Sequence, residues 1–163
     1  MDTATERVLA IELRVQRFGF VLFEYPDVLL DWGVSGYHTS VPEALDRKIA
    51  YCADKFAPVV VLCRERIGGS EHERTVLNRR IEVLRELAGR RSIPVRLVSA
   101  SVVRKHFQEQ GRNNKDEVSQ MVVTYFPELA WRLPAKRRPW QSERLSQVLF
   151  DAAALAVFHS ASN

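Results

Sequence analysis

VLAIEL at 8–13, RFGFVLFE at 17–24 and VLLDWGV at 28–34 decide the fold. The first is a short apolar run of strand length, and the second is rich in aromatic and β-branched residues. Tyr25-Pro26-Asp27, between the second and third runs, is turn chemistry. Strands joined this closely pair with their sequence neighbours, so the three runs predict an antiparallel meander.

Beyond the meander the period changes. Ser40-Val41-Pro42-Glu43 reads as a helix start, with a Ser N-cap, Pro in the first turn and Glu three residues on. Leu45, Ile49, Cys52 and Phe56 then recur at helical spacing. Pro58 ends that helix and opens VVVLC at 59–63, a continuous apolar run of the kind buried on both faces of a parallel sheet. A charged helix is predicted over 71–90, with Leu77, Ile81, Leu84 and Ala88 as its buried stripe, followed by a strand in IPVRLVSA at 93–100. Ser99 or Ser101 can cap a short helix over 102–109. Asn114 can cap the next, with Glu117 at the third position and Pro127 as terminator. LPAKRRPW at 133–140 reads as an extended basic loop, and Ser142 as the cap of a final helix reaching about residue 160. The order β-β-β-α-β-α-β-α-α-α predicts an α/β fold, a mixed five-stranded sheet flanked by helices, in one domain over residues 1–163.

With 46% hydrophobic and 27% charged residues, the composition is that of a soluble globular domain. Cys52 and Cys63 make neither a disulfide framework nor a metal spacing, which suits a reducing compartment. The opening MDTATE has no signal-peptide character, and no apolar run approaches the roughly 18 residues of a membrane span. A cytoplasmic location with no membrane partner is therefore expected. The net charge is +4, and only five of the 24 basic residues are Lys. Arg grips phosphate through a planar fork, so nucleic acid is a candidate partner.

Two carboxylates break the apolar pattern. Glu12 lies within VLAIEL, and Asp151 within VLFDAAALAV at 148–157, in the middle of a helix apolar on most sides. Ionised carboxylates are almost never buried unless paired or metal-bound. One reading is an ion pair to a buried Arg, or exposure at the end of the strand. The other is convergence on Mg²⁺, which takes oxygen ligands, if the first strand and last helix touch. Ala152 to Ala154 would let that helix approach a sheet closely. Lys136, Arg137 and Arg138 beside Trp140 suit phosphate contact with base stacking, or else a surface loop anchored by its Trp. Lys115 follows the loop Gly111-Arg112-Asn113-Asn114 at a helix start, where anions are favoured.

Together these segments resemble the RuvC family of Holliday-junction nucleases, which have an RNase H-like fold. VLAIEL with RFGFVLFE resembles its opening hairpin, GRNNKDEVSQMV at 111–122 its late glycine–loop–Lys segment, and FDAAALAVFH at 150–159 its terminal Asp-Ala motif with a His. The matches come in the family's order and span nearly the whole chain. Carried over residue by residue, Glu12 stands for the opening-strand acid and Asp151 for the last-helix acid. The second helix acid, one turn earlier, falls on Val148. The acid after the fourth strand aligns with Cys63, and Glu65, two residues on, could substitute for it if the strand extends.

The resemblance implies two-metal hydrolysis of phosphodiesters in structured or branched DNA. Glu12, Glu65 and Asp151 would bind Mg²⁺ or Mn²⁺, with Lys115 as a further catalytic group. Arg112, Lys115, Lys136, Arg137 and Arg138 would contact nucleic acid. It also implies a homodimer, since a four-way junction offers two symmetric cuts. The alternative is an RNase H-like module that binds nucleic acid or a protein partner after its catalytic site has decayed, for which Glu12, Cys63 and Val148 speak. An actin-like phosphotransferase fits poorly, because no Gly-rich phosphate loop follows the first strand.

Overall fold

The computed structural model describes residues 5–66, 68–134 and 145–162. Its meander is the expected one: β1 (Arg7–Leu13), β2 (Arg17–Glu24) and β3 (Val28–Gly36) pair antiparallel in sequence order. A bulge between Leu22 and Phe23 shifts the β2–β3 register. β4 (Val60–Arg64) then lies parallel to β1, and β5 (Val95–Val98) parallel to β4, giving the order β3-β2-β1-β4-β5.

Two helical layers cover this sheet. α1 (Val41–Phe56) and α2 (Glu71–Gly89) pack on one face, against Leu9, Ile11, Leu13 and Cys63. α3 (Ala100–Glu109), α4 (Lys115–Tyr125) and α5 (Leu145–Ser162) lie on the other, against Val8, Ala10, Val21 and Leu62. Alternation along β1 thus sorts its side chains into two cores.

The helix starts follow their capping chemistry. The Ser40 hydroxyl accepts from the Glu43 amide and the Asn114 side chain from the Glu117 amide. The Glu117 carboxylate returns to the Asn113 amide, completing the box. Ser70 caps α2 in the same way. Ser99 stands at the N-cap of α3 but makes no capping bond; its hydroxyl pairs with that of Ser101 at 2.8 Å. α1 ends at Ala57 in the left-handed region, one residue before Pro58. Pro127 does end α4, and opens a 3-10 turn (Pro127–Arg132) that periodicity does not reveal.

α5 is the central element of its layer. Val148 to Phe150 and Ala152 to Val157 are all buried, and the helix packs on β1, β2, β3 and β4. No helix among the described residues is long and apolar enough to cross a membrane. Ser142, Lys136, Arg137, Arg138 and Trp140 lie outside the described residues.

Candidate functional site: two acids bridged by arginine

Parallel pairing sets the carboxyl ends of β1 and β4 side by side, with Ile11 opposite Cys63. Ligands of open α/β sheets bind outside such strand ends. Glu12 shares a face with Val8 and Ala10, and Arg64 with Leu62, so both side chains rise toward α5. Asp151 comes down from α5 to meet them.

The two acids converge, and guanidinium groups lie between and around them. Arg14, just past β1, donates from Nη1 to Glu12 Oε1 and from Nη2 to Asp151 Oδ2, so one fork joins both carboxylates. Arg64 Nη2 donates to Glu12 Oε1 at 2.5 Å and lies 4.0 Å from Asp151 Oδ2. Arg66 Nη2 donates to the same Glu12 oxygen and, at 2.5 Å, to the carbonyl of Leu13. Lys115 Nζ stands 3.4 Å from Asp151 Oδ2, and the Gln147 amide donates to Oδ1 at 2.9 Å. The Glu12 side chain is wholly buried, and those of Arg14, Arg64 and Arg66 remain 18%, 23% and 16% exposed.

The electrostatics follow from this crowding. Burial pushes the Asp151 carboxyl up, but Lys115, Arg14 and Arg64 with the Gln147 amide outweigh it and hold the group below the ordinary aspartate value. Burial lowers Arg66, and Arg64 and Arg14 lower it further, against the pull of Glu12. The turn that carries Arg14 is itself fixed. The Tyr37 hydroxyl donates to the Arg14 carbonyl at 3.1 Å, and Arg80 donates to the carbonyl of Val15 at 2.6 Å. Burial raises the Tyr37 hydroxyl to about 12, so it stays a donor.

Of the residues singled out in the sequence, the structure brings together Glu12, Asp151 and Lys115, with Arg112 nearby on the wall of an adjoining cleft. Glu65 does not join them: it is exposed, and its amide bonds to the carbonyl of Val98. Cys63 faces the α1–α2 core, with its thiol pushed up to about 12 by burial and by Glu12. Val148 packs against Gly19. His159 belongs to the core, edge-on to Phe23 and 3.3 Å from Glu6. Arg14, Arg64, Arg66 and Gln147 are the members that periodicity and motif did not pick out.

Taken over the described residues, this donor set does not fit a pair of divalent metals. Among the described residues no group of three or more His, Cys, Asp or Glu side chains is placed to hold an ion. Among the described residues, four cations, Arg14, Arg64, Arg66 and Lys115, lie against these two carboxylates. A divalent cation entering here would meet repulsion where a metal centre supplies ligands. Glu12 Oε2 is buried without a hydrogen-bond partner among the described residues, while Oε1 takes all three guanidinium donors.

Solved structures share this architecture. The RuvC of Thermus thermophilus in complex with a Holliday junction substrate superposes with a TM-score of 0.70 at 18% identity, over 95% of this chain and 92% of that one. The yeast mitochondrial Holliday junction resolvase gives 0.64 at 14% identity, over 94% of this chain and 78% of that one. The fowlpox virus resolvase, also with Holliday junction DNA, gives 0.56 at 11% identity, over 96% and 99%. No protein-family model and no curated protein matches the chain. The chain has the RuvC-like form of the RNase H-like fold.

Proposed function

We propose that this protein binds structured or branched DNA on a RuvC-like scaffold, and that guanidinium groups substitute for metal ions at its paired acids. The observation that carries this reading is the single Arg14 fork joining Glu12 to Asp151, with Arg64 and Arg66 on the same Glu12 oxygen. The acids act as buttresses. Each fixes the direction of guanidinium groups that keep some surface, and such held cations suit a backbone phosphate. Arg is the apt residue, because its fork can hold a carboxylate with one edge and offer donors on another. Lys115, half-exposed beside Asp151, adds a point charge at the rim. Lys136, Arg137 and Arg138, outside the described residues, are phosphate-contact candidates by their charge in the sequence alone. Resolvases with this fold have been solved on Holliday junction DNA, which supports a branched substrate.

The second reading, a Mg²⁺- or Mn²⁺-dependent endonuclease, draws support from the convergence of Glu12 and Asp151 and from the position of Lys115. It requires the three guanidinium groups to withdraw and a third ligand to be found, with Glu65 as the nearest candidate in sequence. We extend either reading to a homodimer, because a four-way junction presents symmetry-related arms; the mass of the protein–junction complex checks the stoichiometry.

The experiment is a labelled four-way junction offered with EDTA, Mg²⁺ or Mn²⁺, beside an Asp151→Asn control. Binding that weakens as salt rises, with no cutting under any condition, supports the module. Metal-dependent cutting that Asp151→Asn abolishes establishes the nuclease instead. Failure to bind at all removes branched DNA as the ligand.

A further inference from the structure

Beside the arginine cluster a cleft of about 220 Å³ opens between α3, the loop into α4, and α5. Its floor is apolar, from Val103, Phe107, Val118 and Leu155, and its rim carries Arg64, Arg104, Arg112 and Lys115. We infer that this cleft takes one unpaired nucleobase of the bound strand, with the flanking phosphates on the rim cations. The inference rests on the nucleic-acid reading above and deepens it.

Size, lining and charge each bear on the occupant. The volume lies below the roughly 300–1,000 Å³ of clefts that hold drug-sized molecules, so it suits a single flat ring system. An apolar slot ringed by cations matches a ligand with a flat, weakly hydrated body between two anions, and a nucleotide within a strand is such a ligand. Enzymes and single-strand binders that accept a displaced base seat it between aromatic and apolar side chains. Asp151, the acid at the cleft wall, is already neutralised by Arg14 and Lys115, so it does not repel a phosphate. The capping box at Asn114 uses the Asn113 and Glu117 amides internally, so those two are not offered to a phosphate. Arg64 belongs to both features. Its Nη2 is held by Glu12, while its Nε is buried and makes no hydrogen bond among the described residues. An unmet buried donor is costly, and an oxygen acceptor arriving in the cleft could relieve it after a small turn of the side chain.

The test compares two four-way junctions that differ at one unpaired position by the branch point, one bearing an adenine and one an abasic site. Wild-type protein should bind the adenine junction about tenfold more tightly, the order of one stacked base. Val118→Trp, which fills the cleft, should bind both at the abasic level and keep its salt dependence. Arg104→Glu, at an exposed position, should weaken both equally. Equal affinity of wild type for the two junctions, with binding intact, overturns the base slot and leaves the branched-DNA reading standing. No binding of either overturns both.

Discussion

Gly19 of β2 lies so close to Val148 of α5 that a Cβ on Gly19 would stand 2.6 Å from the Val148 carbonyl oxygen and 2.8 Å from its carbon. Real side chains do not tolerate such a contact with backbone, so Gly19→Ala must push the helix off the sheet. The expected loss is about 1–3 kcal/mol, as for overpacking elsewhere, read from the urea midpoint. Because α5 carries Asp151, the same variant should weaken junction binding. Gly68→Ala is the control: a Cβ there meets nothing, and stability should stay within about 0.5 kcal/mol.

Neutralising Glu12 separates an arginine site from a metal site. Where carboxylates converge to hold a metal, replacing one by its amide relieves repulsion in the metal-free protein. Here Glu12→Gln leaves Arg14, Arg64 and Arg66 facing one another without their shared counter-charge. Removing one partner of a buried pair costs about 3–5 kcal/mol. The partial exposure of the three arginines places the expected loss near the lower end of that range. Denaturant unfolding in EDTA reads it, and a gain in stability would count against the cluster.

Much of this was legible in the sequence, because most of the fold is written in local periodicity. RFGFVLFE, the Ser40 and Asn114 caps and the run at 59–63 each specify an element without help from the rest of the chain. Glu12 and Asp151 were legible for a different reason: a carboxylate in an apolar run needs a partner, and an ion pair to a buried Arg was one of the two readings. Which arginines would answer was not legible. Arg14, Arg64 and Arg66 sit at or just past strand ends, where a charged residue is ordinary. The face on which Cys63 and Glu65 fall depends on the register of β4 against β1, which is non-local, and a slip of one residue exchanges the faces. Alternation would set Glu65 on the Cys63 side only if the strand ran on, but β4 ends at Arg64, and only the Ile11–Cys63 pairing shows that Arg64 is the residue facing Glu12.

Acid should loosen the cluster through Asp151. Its carboxyl is held below the ordinary value in the folded chain, so the folded state binds fewer protons than the unfolded one. The stability this contributes is complete above the unfolded pKa, about pH 4, and is lost as pH falls through the lowered folded value. Urea midpoints followed from neutral pH into the acid range should therefore decline for wild type. Asp151→Asn should start lower and show a shallower acid limb.

Both cysteines are free and buried, and burial raises Cys52 to about 11 and Cys63 to about 12. At neutral pH neither presents a thiolate. A chromogenic disulfide reagent should leave the native protein unreacted and titrate both thiols in denaturant. Rapid native reaction at Cys63 would mean that the β4 end of the sheet opens.

The most direct test of guanidinium groups in the role of metal ions is a titration with Mn²⁺, following the free ion by its electron paramagnetic resonance signal. The arrangement of Arg14, Arg64 and Arg66 around Glu12 and Asp151 predicts that added Mn²⁺ stays free, with wild type and Asp151→Asn giving the same line. Stoichiometric uptake by wild type that Asp151→Asn abolishes would contradict it, and would show that the arginines yield the site to metal.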